Sequence, residues 1–175
     1  MPIPPTHTED ETGQVGVAEG RKAYMPVSLA LEDPSVEGAR RGDPLAWADL
    51  YERFHPILAR YLEIVNPDAL DDMDAVWTRA GRSLAGQPEG VAPLLWLLRA
   101  ARDGMVIRPD PDDSPDPAVR AIRNLAPTEM DVIALRVVAG LDEDDTAFVI
   151  GRPVERVRSA AHHGLARLLR EGHAA

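Results

Sequence analysis

The chain has 175 residues, 45% of them hydrophobic, with a formal net charge of −10 and no cysteine. That length and apolar content suit one ordinary domain or two small helical ones with a real core. Lack of thiols excludes a disulfide framework, a thiolate metal site and a cysteine nucleophile, and the negative charge argues against a protein that coats nucleic acid regardless of sequence.

No positively charged start leads into an apolar run, and the longest apolar patch, Leu94 to Leu98, is far too short to span a bilayer. The expectation is a cytoplasmic protein without membrane contact. Residues 1–36 mix Pro, Thr, Gly and acids without periodicity and read as a flexible tail. Within the segment 37–106 the pattern turns helical. Asp43 is a capping residue, Pro44 suits a first helical turn, and Trp47, Leu50, Tyr51, Phe54, Leu58, Tyr61, Leu62 and Val65 follow at helical spacing. A second helix is predicted from about Asp68 to Leu84, with Leu70, Met73, Val76, Trp77, Ala80 and Leu84 on its buried stripe. A third, from about Val91 to Arg102, is apolar on more than one side.

The run from Arg108 to Pro117 carries four prolines and four aspartates, so it reads as an extended acidic linker, placed at 107–116. Over 117–175 helices return. Asp116-Pro117 opens one, and Pro127-Thr128 opens another with Met130, Ile133, Val137 and Val138 on its face and Gly140 at its end. No stretch alternates with period two, so the fold class expected is all-α, two small helical domains without a sheet.

The most informative stretch is TAFVIGRPVERVRSAAHHGLARLL, from Thr146 to Leu169. A helix-turn-helix needs a small residue where its helices cross, an apolar anchor, a turn residue tolerant of positive φ, and an apolar residue tying the second helix back. Ala147, Ile150, Gly151 and Val157 meet those needs in order. Pro153 opens the second helix, and Val154, Val157, Ala161, Leu165 and Leu168 form its expected inner stripe. The opposite face presents Glu155, Arg156, Arg158, Ser159, His162 and His163. In a major groove Arg158 suits guanine edges or phosphates, Ser159 phosphate and Glu155 cytosine amino groups, with Arg152, Arg167 and Arg170 available to the DNA backbone. The same spacing fits an ordinary helical hairpin with a solvated arginine face. Arg152 in the turn and the acidic block Asp142 to Asp145 favour that plainer reading.

Taken in order, GDPLAWADLYERFHPILARYL, DALDDMDAVWTRAGRSL, WLLRAARD and LAPTEMDVIALRVVAGL, then the helix-turn-helix and HHGLARLLRE, resemble the extracytoplasmic-function sigma factors of the sigma-70 family over roughly Gly42 to Glu171. The resemblance implies a region 2-like domain that binds RNA polymerase and opens the promoter. It also implies a region 4-like domain that reads a promoter element. Polymerase-facing residues would be Asp68, Asp71, Asp72 and Asp74, with Trp77 and Arg79. Promoter-reading residues would be Arg156, Arg158, Ser159 and His162. Core RNA polymerase and promoter DNA are the implied partners, and an anti-sigma factor is admitted as a third. After WLLRAARD the family continues as a basic helix that grips DNA, where this chain gives GMVIRPDPDD. A diverged adaptor that binds polymerase without opening DNA, and a stand-alone helix-turn-helix regulator, therefore stay open as alternatives.

No enzyme is expected. Asp68, Asp71 and Asp72 lack the second acidic cluster and phosphate-binding lysine of a magnesium site, adjacent His162 and His163 diverge around a helix, and Ser159 near His162 has no orienting acid. No metal or other cofactor is called for.

Overall fold

In a computed structural model, which describes residues 33–84, 86, 87, 90–103, 105 and 114–172, every regular element is helical. Residues 1–32 of the expected tail and 107–113 of the expected linker lie outside the described residues. No described helix is long and apolar enough to cross a membrane.

Helix α1, Pro34–Arg40, begins inside the segment read as tail. The Asp33 side chain caps it by accepting from the Ser35 N–H, and Val36 and Ala39 are buried. Seven residues with so few apolar positions carry no visible periodicity, which is why the sequence pattern does not announce the helix. Gly38 lets it lie against helix α2, Pro44–Val65, because a Cβ there would sit 2.6 Å from that of Ala46. Arg53 of α2 fastens the pair through an ion pair to Asp33 at 2.7 Å, and Asp49, which pairs with Arg53 within α2 at 2.9 Å, accepts from the Ser35 hydroxyl at 2.6 Å.

Asp43 caps α2 through the Leu45 N–H, and Pro56 lies inside the helix on an exposed position. Leu50, Phe54, Leu58, Tyr61, Leu62 and Val65 are fully buried, the stripe that the spacing predicts. Tyr51, counted with that stripe, instead faces outward.

The second predicted helix is divided. Pro67–Leu70 form a 3-10 turn, Asp71 and Asp72 continue as a turn, and helix α3 spans Met73–Leu84. Adjacent aspartates favour turns and caps over helix interiors, and here the Asp72 carbonyl accepts the first α3 bonds from Ala75 and Val76. Helix α4, Pro93–Asp103, is buried on two sides because α3 covers one and a later helix, at Glu143–Ile150, the other.

Later in the chain stand α5 (Pro117–Arg123), α6 (Pro127–Ile133), α7 (Glu143–Ile150) and α8 (Val154–Gly172). Asp116 caps α5, and buried Arg123 donates to the Glu63 carbonyl at the end of α2. Helix α6 runs on as a π-helical turn, Ala134–Val138, closed by a bond from the Ala139 N–H to the Ala134 carbonyl. The wider turn shifts the helix face. Val137, expected inside, is 60% exposed, while Val132, Ala134 and Leu135 are fully buried.

Residues from α1–α4 and from α5–α8 share one buried apolar cluster. A polar group sits within it. Asp131 on α6 is 1% exposed, and its carboxylate accepts from the Tyr61 hydroxyl of α2 at 2.8 Å and from Arg102 Nε of α4 at 2.8 Å. Arg102 Nη1 also donates to the Ile150 carbonyl, and Arg99, whose guanidinium lies over the Phe148 ring, donates to the Phe148 carbonyl. The two arginines of α4 thus cap the last turn of α7, where unpaired carbonyls favour positive charge.

Burial, then the Asp131 charge and hydrogen bond, push the Tyr61 hydroxyl well above its ordinary range. Folding should therefore weaken as pH rises past about 10, by about 1.4 kcal/mol per unit, because the unfolded chain gives up the Tyr61 proton before the folded one does. Urea titrations across that range should show a shallower decline for Tyr61→Phe. Equal slopes for the two proteins would contradict the assignment.

Candidate nucleic-acid interface

The turn between α7 and α8 has the geometry that its residues require. Asp142 caps α7 by accepting from the Asp145 N–H at 2.8 Å, and the Thr146 hydroxyl bonds to the Asp142 carbonyl. Gly151 ends the helix at φ 67°, ψ 39°, the left-handed region where a Cβ is costly. The Gly151 and Arg152 N–H groups both return to the Ala147 carbonyl, and the Pro153 carbonyl starts α8 by accepting from Arg156 and Val157. Ile150 and Val157 are buried, as the spacing predicts.

One part of the expected inner stripe differs. Leu165 is 47% exposed, and Gly164 takes the buried position between Ala161 and partly buried Leu168. Helix α8 meets α6 at Gly164, where an added Cβ would lie 3.1 Å from Ile133 Cγ1 and 3.4 Å from Glu129 Cβ. The narrowest residue marks the crossing, so the stripe follows 157, 161, 164 and 168.

Arg152, Glu155, Arg156, Arg158, Ser159, His162 and His163 are all exposed on the turn and along α8. The His162 and His163 rings are splayed, with centroids 6.0 Å apart. Arg167 is partly buried and donates to Glu129 Oε2 at 3.3 Å and to the Asn124 carbonyl at 3.0 Å, so its guanidinium ties α8 to the scaffold. Arg158 is 62% exposed at its side chain, but it is held. Its Nε and Nη2 both reach Glu143 Oε2, at 3.0 and 2.9 Å, while the other oxygen of Glu143 faces Arg136 Nη1 at 3.7 Å. Burial, then the charges of Asp142 and Asp144, hold the Asp145 carboxyl above its usual range.

The other group of expected site residues clusters at the start of α3. Asp68 on the 3-10 turn, Asp71 and Asp72 in the turn that follows it, and Asp74 in the first turn of α3 are exposed, and Arg79 is partly buried farther along. Trp77 is half-buried against α2. Its Nε1 donates to His55 Nδ1 at 3.3 Å, and Tyr51 stacks on His55 with ring centroids 4.5 Å apart. Sequence reading missed Tyr51 and His55 as partners of Trp77. Their signal was two aromatic rings four residues apart on a helix. It also missed Glu143 and Asp131, and the latter stands out as an acid inside the apolar run Met130 to Leu135.

No family model matches this chain, and no curated protein matches it. Among solved structures it is similar to CnrH, determined in complex with the cytosolic domain of CnrY. The TM-score is 0.66 at 20% identity, over 80% of this chain and 96% of that one. The likeness is one of fold, an all-α arrangement shared along nearly the whole of CnrH.

Proposed function

We propose that the chain is a sigma factor that associates with core RNA polymerase and directs it to promoters read by α8. The observation that carries the reading is the exposed arginine-bearing face of α8. It follows a left-handed Gly151 turn, on a scaffold similar to that of CnrH, in a chain whose sequence resembles the extracytoplasmic-function sigma factors. In this reading residues 37–106 form the polymerase-facing domain, 107–116 the linker and 117–175 the DNA-reading domain. The protein acts in the cytoplasm and leaves the chemistry to the polymerase.

On the outer face Arg152, Arg156 and Arg158 stand against Glu155 and, reaching in from α7, Glu143, which leaves a local excess of positive charge on a chain of net charge −10. Arg156, Arg158, Ser159, His162 and His163 are placed to approach base edges and phosphates, and Arg152 the DNA backbone. Asp68, Asp71, Asp72 and Asp74 offer a cationic partner surface an exposed acidic turn, with Trp77 and Arg79 beside it. CnrH was solved with the cytosolic domain of CnrY, and for this chain an anti-sigma factor is a further protein partner in the same proposal.

Asp71→Lys places like charges together at the polymerase contact and should weaken association with core enzyme by roughly tenfold or more. Titration of labelled full chain against core RNA polymerase measures it. Unchanged affinity would remove the acidic turn from the interface.

A second reading is favoured by one feature. Arg99 and Arg102, the arginines of α4, are engaged with α7 carbonyls and Asp131. An adaptor that binds polymerase without opening promoter DNA would keep that arrangement and yield no transcripts.

A further inference from the structure

The acidic block at the head of α7 looks ill-suited to DNA, but one of its members touches the reading face. Glu143 Oε2 receives both Nε and Nη2 of Arg158, and Glu143 Oε1 faces Arg136 from the π-helical turn. The carboxylate is thus bracketed by two guanidinium groups from different elements, one of them on the scaffold under α7.

The way Arg158 is held has a chemical consequence. A guanidinium has a side edge, made by Nε–H and one Nη2 hydrogen, and an end edge, made by the second Nη2 hydrogen and Nη1. Glu143 occupies the side edge. The end edge is the one that grips guanine O6 and N7 in a bidentate pair, and it remains presented on a side chain that is 62% exposed. An unbraced arginine would sample many rotamers and serve as a diffuse phosphate contact, whereas a fixed fork discriminates between bases.

We propose that Glu143 is a positioning residue for base readout: it fixes Arg158 for bidentate recognition of a guanine in the major groove. This rests on the reading of α8 as the DNA-recognition helix. Glu143 itself makes no contact with the base. Its negative charge slightly opposes binding of the DNA backbone while sharpening the choice of base, so affinity and selectivity respond to it in opposite directions.

The test is selection of binding sites by the full chain from a randomised duplex DNA library, with sequencing of the bound fraction and affinities measured on the selected duplex. Wild type should prefer guanine at one base pair, by roughly fivefold to a hundredfold over the alternatives, and Arg158→Ala should lose that preference. Glu143→Gln keeps a weaker, uncharged acceptor and should cut the preference severalfold, and Glu143→Ala should cut it further. Both should bind the unselected library as tightly as wild type or more tightly, with thermal unfolding little changed for a half-exposed pair. A merely structural Glu143 would lower all affinities together and leave the base preference intact. Undiminished guanine preference in Glu143→Ala, with Arg158→Ala defective, overturns the positioning role alone. Absence of any selective binding by wild type, or selective binding unaffected by Arg158→Ala, overturns the assignment of this face to base readout.

Discussion

Asp131→Ala is expected to lower the free energy of unfolding by about 3 kcal/mol, near the bottom of the roughly 3–5 kcal/mol range for breaking a buried ion pair. Its carboxylate accepts from the fully buried Tyr61 hydroxyl and from Arg102. Removing it leaves a shut-in hydroxyl with no acceptor and a guanidinium facing a new cavity. The Arg102 side chain is 25% exposed, so water solvates part of the orphaned charge, and that sets the loss at the lower end. Burial works against the Arg102 charge, but the hydrogen bond and charge of Asp131 outweigh it and hold the guanidinium firmly protonated. Tyr61→Phe removes a donor rather than the shared acceptor and should cost only about 1 kcal/mol. Urea unfolding at neutral pH measures both, and a loss under about 1 kcal/mol for Asp131→Ala would show that the network does little for the fold.

Gly164→Val should destabilise by about 2 kcal/mol and abolish selective DNA binding, while Gly164→Ala should be close to neutral. The first added carbon would already lie 3.1 Å from Ile133 Cγ1, and the two valine methyls go farther into α6. Helix α8 would have to lift or tilt, carrying Arg156, Arg158 and Ser159 with it. Alanine meets the same close contact with one carbon only, and replacing glycine inside a helix gains back about 1 kcal/mol of propensity. Denaturation together with binding to the selected duplex separates the variants. Wild-type selectivity in Gly164→Val would mean that the crossing does not set the pose of the reading helix.

Much of the architecture was legible because caps and turns are local chemistry. Asp43-Pro44, Asp116-Pro117 and Gly151 each signal a helix end within two or three residues, and each stands at one. The exposed face of α8 was readable for a similar reason, since period and polarity alone separate Val157 and Ala161 from Arg158 and Ser159. Features that depend on distant partners were not readable. Asp131 interrupts an apolar run, and its role depends on Tyr61 and Arg102, which are far off in sequence. Leu165 fitted the inner stripe by spacing, but the requirement that α8 pass close over Ile133 selected Gly164 instead. The π-helical turn that rotates Val137 outward has no signature in hydrophobic period, because it is one extra residue in a helix that otherwise continues. Glu143 was read with its acidic neighbours as a repulsive block. Its pairing with Arg158 depends on how α7 and α8 face each other across the Gly151 turn.

The most direct test of the sigma-factor reading combines purified full chain with bacterial core RNA polymerase, followed by run-off transcription from genomic fragments with and without the chain. Co-elution with core enzyme and new promoter-specific transcripts, lost with Arg158→Ala, are the predicted result. Failure to associate with core polymerase would contradict it.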